Sequence, residues 1–320
     1  MSLDFPFPVP SGWFPVAAGR DLAAGEVQRL HCFGRELALF RTESGQARVL
    51  DAHCPHLGAH LAIGGQVEGE RIRCPFHGWQ FDGDGACREI PYARRIPPSV
   101  RTRAYPSFES NGFVWAWYDP DERDPFYDIP TIPQVESPDW VETFRKTWRI
   151  RSPIQEMGEN GADSAHFPAV HGSAAVPSSE SIEDGAHRKA IQYTEVDTSQ
   201  GRARNTIEVN SFGLGFGYTH FTGICETISI NCMTPIDAGT TDLSVVFLQP
   251  RGTERQGIAR AICRDLERQV GEDIPIWENK RYQARPVLCD GDGPIAEYRR
   301  WCLQFYPGAT PTTEAAASAQ

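Results

Sequence analysis

The chain has 320 residues, 40% hydrophobic and 23% charged, an ordinary globular composition long enough for about two domains. Its net charge of −11, with no long basic block, excludes a nucleic-acid binder that works through a positive face. No apolar run approaches the ~20 residues that span a membrane, and the start MSLDFPFPVPSGWFPV lacks the basic beginning and apolar core of a signal peptide, so a cytoplasmic protein is expected.

Residues 1–12 are proline-rich and read as an arm. From there to about Pro120 short strands alternate with turns: VQRLHCFG, ELALFRT and ARVLDA have strand length and apolar or alternating character, and GFVWAWYD closes the region with Trp115 and Trp117 as core. Residues 13–120 are thus expected to form a compact β domain, and the acidic, proline-dense residues 121–145 a connector. Residues 146–307 are expected to form a second domain, entered through TFRKTWRIRSPI, which starts at Thr143 and reads as a strand, and QEMGENGADSAHF reads as a helix. Then RKAIQYTEVD, ARNTIEVNS, GFGYTHFTG, ETISINCMTPI and TTDLSVVFLQP read as strands in series, which implies an antiparallel sheet. A long helix from GIARAICRDLERQVGED to about Tyr282 and a shorter one at PIAEYRRWCLQFY follow, and residues 308–320 are low-complexity and expected to be disordered. The fold class is α+β.

The chemistry concentrates first in Cys54-Pro55-His56 and Cys74-Pro75-Phe76-His77, two short Cys/His clusters in turn-forming sequence. Gly78 and then Trp79, a large apolar shield, follow. Two such loops side by side make a four-ligand metal site. Zinc takes Cys₂His₂ sets, usually spaced C-x₂₋₄-C and H-x₃₋₅-H; pairing one Cys with one His in each loop suits a [2Fe–2S] centre with two thiolates on one iron and two imidazoles on the other. The order C-x-H…C-x-x-H and the surrounding RCPFHGWQFDGDG resemble the Rieske signature without departure. The other seven of the nine cysteines are scattered singly and read as buried thiols rather than a disulfide framework.

The second constellation lies in the helix expected at 155–167. Glu159, Asp163 and His166 would share one face, and Pro168 would end the helix and swing His171 back toward His166, giving two-thirds of a 2-His-1-carboxylate site for open-sided Fe(II). Taken alone, these read more simply as solvated helix residues beside an exposed loop; beside the Cys/His clusters the metal reading is the stronger. The carboxylate is sought in the long helix, where Ile262, Leu266, Val270 and Trp277 form the apolar stripe. Asp273 lies seven residues, close to two turns, beyond Leu266 and so faces inward, a costly place unless it pairs or binds metal. Asp265, Glu267 and Glu272 project away and read as solvated. Pro275, just beyond, is a candidate kink.

Asn160, Asp163, His166 and His171 also match in full the N-x-x-D-x-x-H-x-x-x-x-H iron-binding motif that this chain shares with Rieske oxygenases, so the resemblance runs from about residue 13 to 306. It implies an N-terminal all-β Rieske domain, a C-terminal helix-grip catalytic domain, and a ring-shaped homotrimer in which Asp163 links an iron-ligating histidine to a cluster histidine of a neighbouring subunit. Electrons passed from cluster to mononuclear iron would activate dioxygen. No G-x-G-x-x-G fingerprint is present, so NAD(P)H electrons are expected through a separate ferredoxin or reductase. Arg71, Arg73, Arg88, Arg94 and Arg95 near the metal loops offer that partner a basic patch, or are ordinary surface arginines. The run SFGLGFGYTHFTG suits a strand lining a roomy apolar pocket, without an arginine to clamp a carboxylate. The segment IWENKRY…GDGPIAEYRRWCLQFY resembles the steroid-acting branch, the 3-ketosteroid 9α-hydroxylase oxygenases and cholesterol 7-desaturases, though without the desaturases' membrane anchor. That implies hydroxylation or desaturation of a steroid, sterol or similar apolar polycycle. An aromatic-ring cis-dihydroxylating dioxygenase, a Rieske electron-transfer protein and a zinc module are the alternatives.

Overall fold

The computed structural model describes residues 5–172, 179–198, 201–223, 225–253 and 257–309. The chain divides into two compact units, Trp13–Tyr118 and the remainder, Met1–Gly12 with Asp119–Gln320.

The first unit is built from β1 (Gly12–Ala18), β2 (Val27–Cys32), β3 (Arg35–Arg41), β4 (Ala47–Asp51), β5 (Gln66–Glu68), β6 (Arg71–Arg73), β7 (Gln80–Asp82), β8 (Cys87–Glu89), β9 (Ala104–Tyr105), β10 (Ser107–Ser110) and β11 (Phe113–Tyr118). They form sheets ordered β1-β11-β10, β2-β3-β4-β9 and β5-β6-β7-β8. Every residue of β11 is buried, Trp115 and Trp117 among them. A strand covered on both faces reads as a continuous apolar run, as FVWAWY does.

The second unit holds a seven-stranded antiparallel sheet: β12 (Trp140–Ile150), β13 (Ser179–Asp184), β14 (His187–Thr198), β15 (Gly201–Phe212), β16 (Phe216–Thr222), β17 (Thr227–Asp237) and β18 (Thr240–Pro250), ordered β12-β18-β17-β16-β15-β14-β13. Its helices are α1 (Ile154–Gly158), α2 (Gly257–Asn279) and α3 (Ile295–Cys302). Along α2, Ala259, Cys263, Asp273 and Trp277 are buried, and Leu266 and Val270 pack against a core of Leu243, Val245 and Phe247 from β18. Steps of three and four along that stripe keep one helix face on the sheet. Among the described residues no helix is long and apolar enough to cross a membrane.

The helix expected at 155–167 is not continuous. α1 stops at Gly158, a single 3₁₀ turn covers Glu159–Gly161, and a π-helical turn runs from Phe167 to His171. Gly158, Asn160, Gly161 and Asp163 are poor helix formers, and Phe167, which precedes Pro168, is biased away from α geometry. The expected common face of Glu159, Asp163 and His166 therefore does not exist: Glu159 turns to Arg299 and Lys280.

The N-terminal arm is fastened within the second unit. Phe7 stacks on Tyr306 with centroids 4.6 Å apart, Phe5 meets Tyr282 edge-on at 5.3 Å, and the Ser11 hydroxyl donates to Asp119 at 2.8 Å. Asp119 also accepts from the Arg123 guanidinium at 2.9 Å and from the main-chain N–H groups of Asp121 and Arg123. Burial alone would raise its pKa, but these hydrogen bonds outweigh it and hold the carboxyl below its ordinary value. A carboxyl depressed in the folded state stabilises above its unfolded pKa and loses that contribution as pH falls through the folded one. Asp119→Ala is therefore expected to cost about 1–3 kcal/mol at neutral pH, and the gap from wild type to shrink below roughly pH 4, as read by urea unfolding across a pH series.

Candidate metal centres

The two Cys/His loops repeat one backbone design. Cys54 N–H donates to Ala59 O at 2.9 Å and Gly58 N–H to Cys54 O at 2.9 Å; Cys74 N–H donates to Trp79 O at 2.7 Å and Gly78 N–H to Cys74 O at 3.1 Å. Both glycines take positive φ, 77° and 73°, a conformation that costs a side-chain-bearing residue about 1–2 kcal/mol. At Gly58 an added Cβ meets nothing within 4 Å, whereas at Gly78 it lies 3.2 Å from Pro91 Cγ and 3.4 Å from Arg73 Nε. Gly58→Ala is expected to lose only that strain energy, and Gly78→Ala to lose more and to lower visible absorbance per chain.

Inside these loops Cys54 and Cys74 are buried, 2% and 3% exposed, while His56 and His77 are half-buried with ring centroids 4.6 Å apart. The sulfurs point inward and the imidazoles toward the surface. Trp79 stacks flat on His56, centroids 4.4 Å apart and planes 8° from parallel, its indole N–H held by Tyr92 Oη at 2.9 Å. Burial, reinforced by the Cys74 sulfur alongside, pushes the Cys54 thiol up to about 11, and His56 Nδ1 is buried with no hydrogen-bond partner among the described residues. A buried imidazole nitrogen left without a partner, facing two buried sulfurs, fits a bound metal centre. Two thiolates and two imidazoles, one of each from each loop, are the donor set that a [2Fe–2S] centre with mixed ligation takes. Around it, Arg71, Arg73 and Arg88 are paired with Glu89, Glu68 and Asp82, leaving Arg94 and Arg95 as exposed arginines.

In the second unit His166 caps the π turn and His171 ends it, with Gly172 closing it at φ 71°. A π turn bonds residues five apart, which stacks these two histidines on one side; their centroids are 5.2 Å apart. Pro168 thus sits inside the turn that joins them instead of ending a helix before it. Asp273 of α2 brings Oδ1 to 3.4 Å from His171 Nε2. The other ring nitrogens are held from behind: His171 Nδ1 by Glu272 at 3.0 Å, and His166 Nδ1 by the main-chain oxygen of Asp163, with the Asp163 carboxylate at 3.6 Å. Metal-bound histidines characteristically carry such a partner on the remaining nitrogen. Asn160 accepts from Trp277 Nε1 at 3.1 Å and hydrogen-bonds Asp273.

Burial raises the pKa of Asp273, against the pull of His171, His166 and the Asn160 hydrogen bond. Burial also works against a charged His166, but Asp163 outweighs it and the imidazole pKa rises; in turn the hydrogen bond from His166 holds Asp163 low. A buried carboxylate facing two imidazoles is the donor set that non-haem iron takes. Glu272, expected to be solvated, instead binds His171. Its position beside Asp273 was the available signal, but helical phase alone turned it away from the sheet.

Two sequence families match the chain: the Rieske [2Fe-2S] domain over residues 12–106, and the 3-ketosteroid 9alpha-hydroxylase C-terminal domain over residues 116–306. The chain belongs to the Rieske non-haem iron oxygenases. This oxygenase is 32% identical over 334 residues to the cholesterol 7-desaturase nvd of Xenopus laevis, covering 94% of this chain and 73% of that protein. It is also 32% identical over 326 residues to a 3-ketosteroid-9-alpha-monooxygenase oxygenase component of Rhodococcus rhodochrous, covering 95% and 83%. Its fold is that of dicamba monooxygenase bound to dicamba (TM-score 0.74, 18% identity, covering 92% of this chain and 96% of that one) and of Pseudomonas putida CBB5 NdmA with caffeine (0.76, 20%, covering 91% and 89%). A Rieske [2Fe–2S] cluster and a mononuclear iron are its cofactors, and as the oxygenase component of a multi-component system it takes electrons from separate electron-transfer partners. An inert domain fused to an electron carrier, and a zinc module, are thereby set aside.

Proposed function

We propose that this oxygenase hydroxylates or desaturates an apolar polycycle of the steroid or sterol class. The observation that carries the reading is the cavity against the triad. It measures about 320 Å³, is lined by His166, His171 and Asp273 together with apolar residues of β16, β18 and α2, and shares Asn160, Phe167, Val209, Thr219, Leu266 and Gln269 with a neighbouring cavity of about 590 Å³. Mostly apolar pockets of this size suit a rigid ring system. The relatives named for cholesterol 7-desaturation and 3-ketosteroid 9-alpha-monooxygenation support the same class.

In this reading Cys54 and Cys74 hold one iron of the cluster and His56 and His77 the other, while His166, His171 and Asp273 hold Fe(II). When bound, the cluster supplies electrons singly and the Fe(II) supplies dioxygen activation. The protein's part is positional. Glu272 and Asp163 fix the two imidazoles, Asn160 orients the Asp273 carboxylate, and the apolar face of α2 keeps water from the substrate. The Asp163 side chain keeps 31% of its surface open, room for the cluster histidine of an adjoining subunit in a homotrimer. A ferredoxin with its reductase is the proposed electron source, and nine cysteines with no disulfide among the described residues favour the reducing cytoplasm.

The test is a coupled assay with a generic ferredoxin and reductase across steroids and small arenes, followed by product mass. Gain of one oxygen, or loss of two hydrogens, from a steroid is the expected result. A cis-dihydrodiol from a small arene, with steroids untouched, would overturn it in favour of a ring dioxygenase.

A further inference from the structure

The cavity contains a charge that neither the metal site nor an apolar substrate uses. Arg188, the second residue of β14, is only 6% exposed and lines the same cavity as the triad. Among the described residues its partners are few and loosely placed. The Glu183 carboxylate lies 3.6 Å from its Nε and is itself 36% exposed at the sheet edge. Nη1 reaches the Gly161 carbonyl at 3.5 Å, and the guanidinium sits 5.7 Å from the centre of the Tyr298 ring. Nε has no hydrogen-bond partner among the described residues. A buried guanidinium stays charged and is costly unless a close, well-aligned anion accepts its N–H groups.

The strand register shows what the arginine faces. Arg188 lies opposite Ser211 on β15, Ser211 opposite Gly217 on β16, and Gly217 opposite Asn231 on β17. All four line the cavity. Arg188, Ser211 and Asn231 put three polar side chains in one row across a floor whose next row, Val209–Thr219–Ser229–Phe247, is more apolar. Gly217 adds no side chain, so the row is recessed between Ser211 and Asn231.

We propose that Arg188, with Ser211 beside it, receives a carboxylate on the substrate, so that this enzyme takes an apolar polycycle ending in an acid. The inference rests on the polycycle reading above and narrows it. The planar guanidinium matches a carboxylate through two parallel N–H···O bonds, whereas a neutral ketone would fill the hydrogen-bonding position and leave the charge uncompensated. An acid held at this end fixes how far the rings extend toward His166, His171 and Asp273, and so which carbon is attacked.

The test is equilibrium binding by calorimetry, with the metal-loaded enzyme and two probes: a saturated steroid carboxylic acid and its methyl ester. Wild type should bind the acid about 10- to 100-fold more tightly than the ester, the range of a charge-assisted hydrogen-bonding pair. Arg188→Gln should remove that preference by weakening the acid alone, and Arg188→Lys should keep part of it, with iron content and visible spectrum unchanged in both. Equal binding of acid and ester to wild type would overturn the proposal and leave the polycycle reading standing, and this comparison holds even where a variant does not fold. Equal weakening of both probes in Arg188→Gln, or loss of its iron, would make Arg188 a brace for the Gly161 turn and refute the proposal. If neither probe binds wild type, the polycycle reading fails with it.

Discussion

Replacing Asp273 with alanine is expected to strip the mononuclear iron from the enzyme while leaving the cluster's visible spectrum in place. The carboxylate is 8% exposed, it faces His166 and His171 within 4.8 Å, and it is oriented by Asn160. Changing a group that only supports a metal ligand typically costs 10–100-fold in affinity or activity. Loss of the ligand itself should exceed about 100-fold, leaving substrate-dependent oxygen uptake near background. Glu272→Gln supplies the graded comparison. It keeps a side chain of the same shape against His171 Nδ1 but removes the charge, so iron should remain at high iron concentration and be lost on dilution. Iron per chain by emission spectrometry, set beside cluster absorbance, reads both. An Asp273→Ala protein that keeps its full iron and turns over would remove Asp273 from the site.

The largest loss of stability is expected from Arg299→Ala. Arg299 meets Glu159 through two contacts, Nε to Oε2 at 2.5 Å and Nη2 to Oε1 at 3.1 Å, donates to Gln283 O at 2.6 Å, and lies 4.9 Å from the centre of the Tyr282 ring. Both partners are shielded, with side-chain exposures of 16% and 11%. Removing one member of such a pair leaves a buried charge behind and costs about 3–5 kcal/mol. Lys280, 3.5 Å from Glu159 and 3.2 Å from the buried Glu156 carboxylate, keeps the value toward the lower end. In a unit of this size each kcal/mol lowers Tm by roughly 2–4 °C. Glu159→Gln in the same chain should recover part of the loss, because the stranded carboxylate is then neutral; no recovery would mean that the pair contributes through packing alone. Glu159 adjoins Asn160, so the melting should also loosen the iron-binding turn.

How much of this was legible in the sequence depends on how local each signal is. The α+β class and the antiparallel series of strands follow from alternation and turn spacing, which neighbouring residues decide. The inward position of Asp273 follows from counting seven residues from Leu266 within one helix. The helix expected at 155–167 does not form because the backbone preferences of Gly158, Asn160 and Gly161 override the amphipathic spacing, and a π turn has no simple periodic signature. Glu272 was misjudged because its partner, His171, lies far away in the chain, and a helical wheel cannot show what packs against its rim. Arg188 was missed for a related reason. In RKAIQYTEVD the apolar alternation picks out Ile191 and Tyr193, yet Tyr193 is 41% exposed, and among the described side chains the buried ones are Arg188 and Ala190. Which face of a strand turns inward is settled by its neighbours, not by its own hydrophobicity.

The residues around the proposed iron come from outside the sheet: Asn160, Asp163, His166 and His171 from the broken stretch after α1, and Glu272, Asp273 and Trp277 from α2. The cavity floor comes from strands, its rows written across β14 to β18. Descendants of this chain can therefore trade one floor residue for another, widening, shortening or recharging the berth, while the oxidising apparatus is inherited untouched. A scaffold divided in this way lets new diets be tried one strand position at a time.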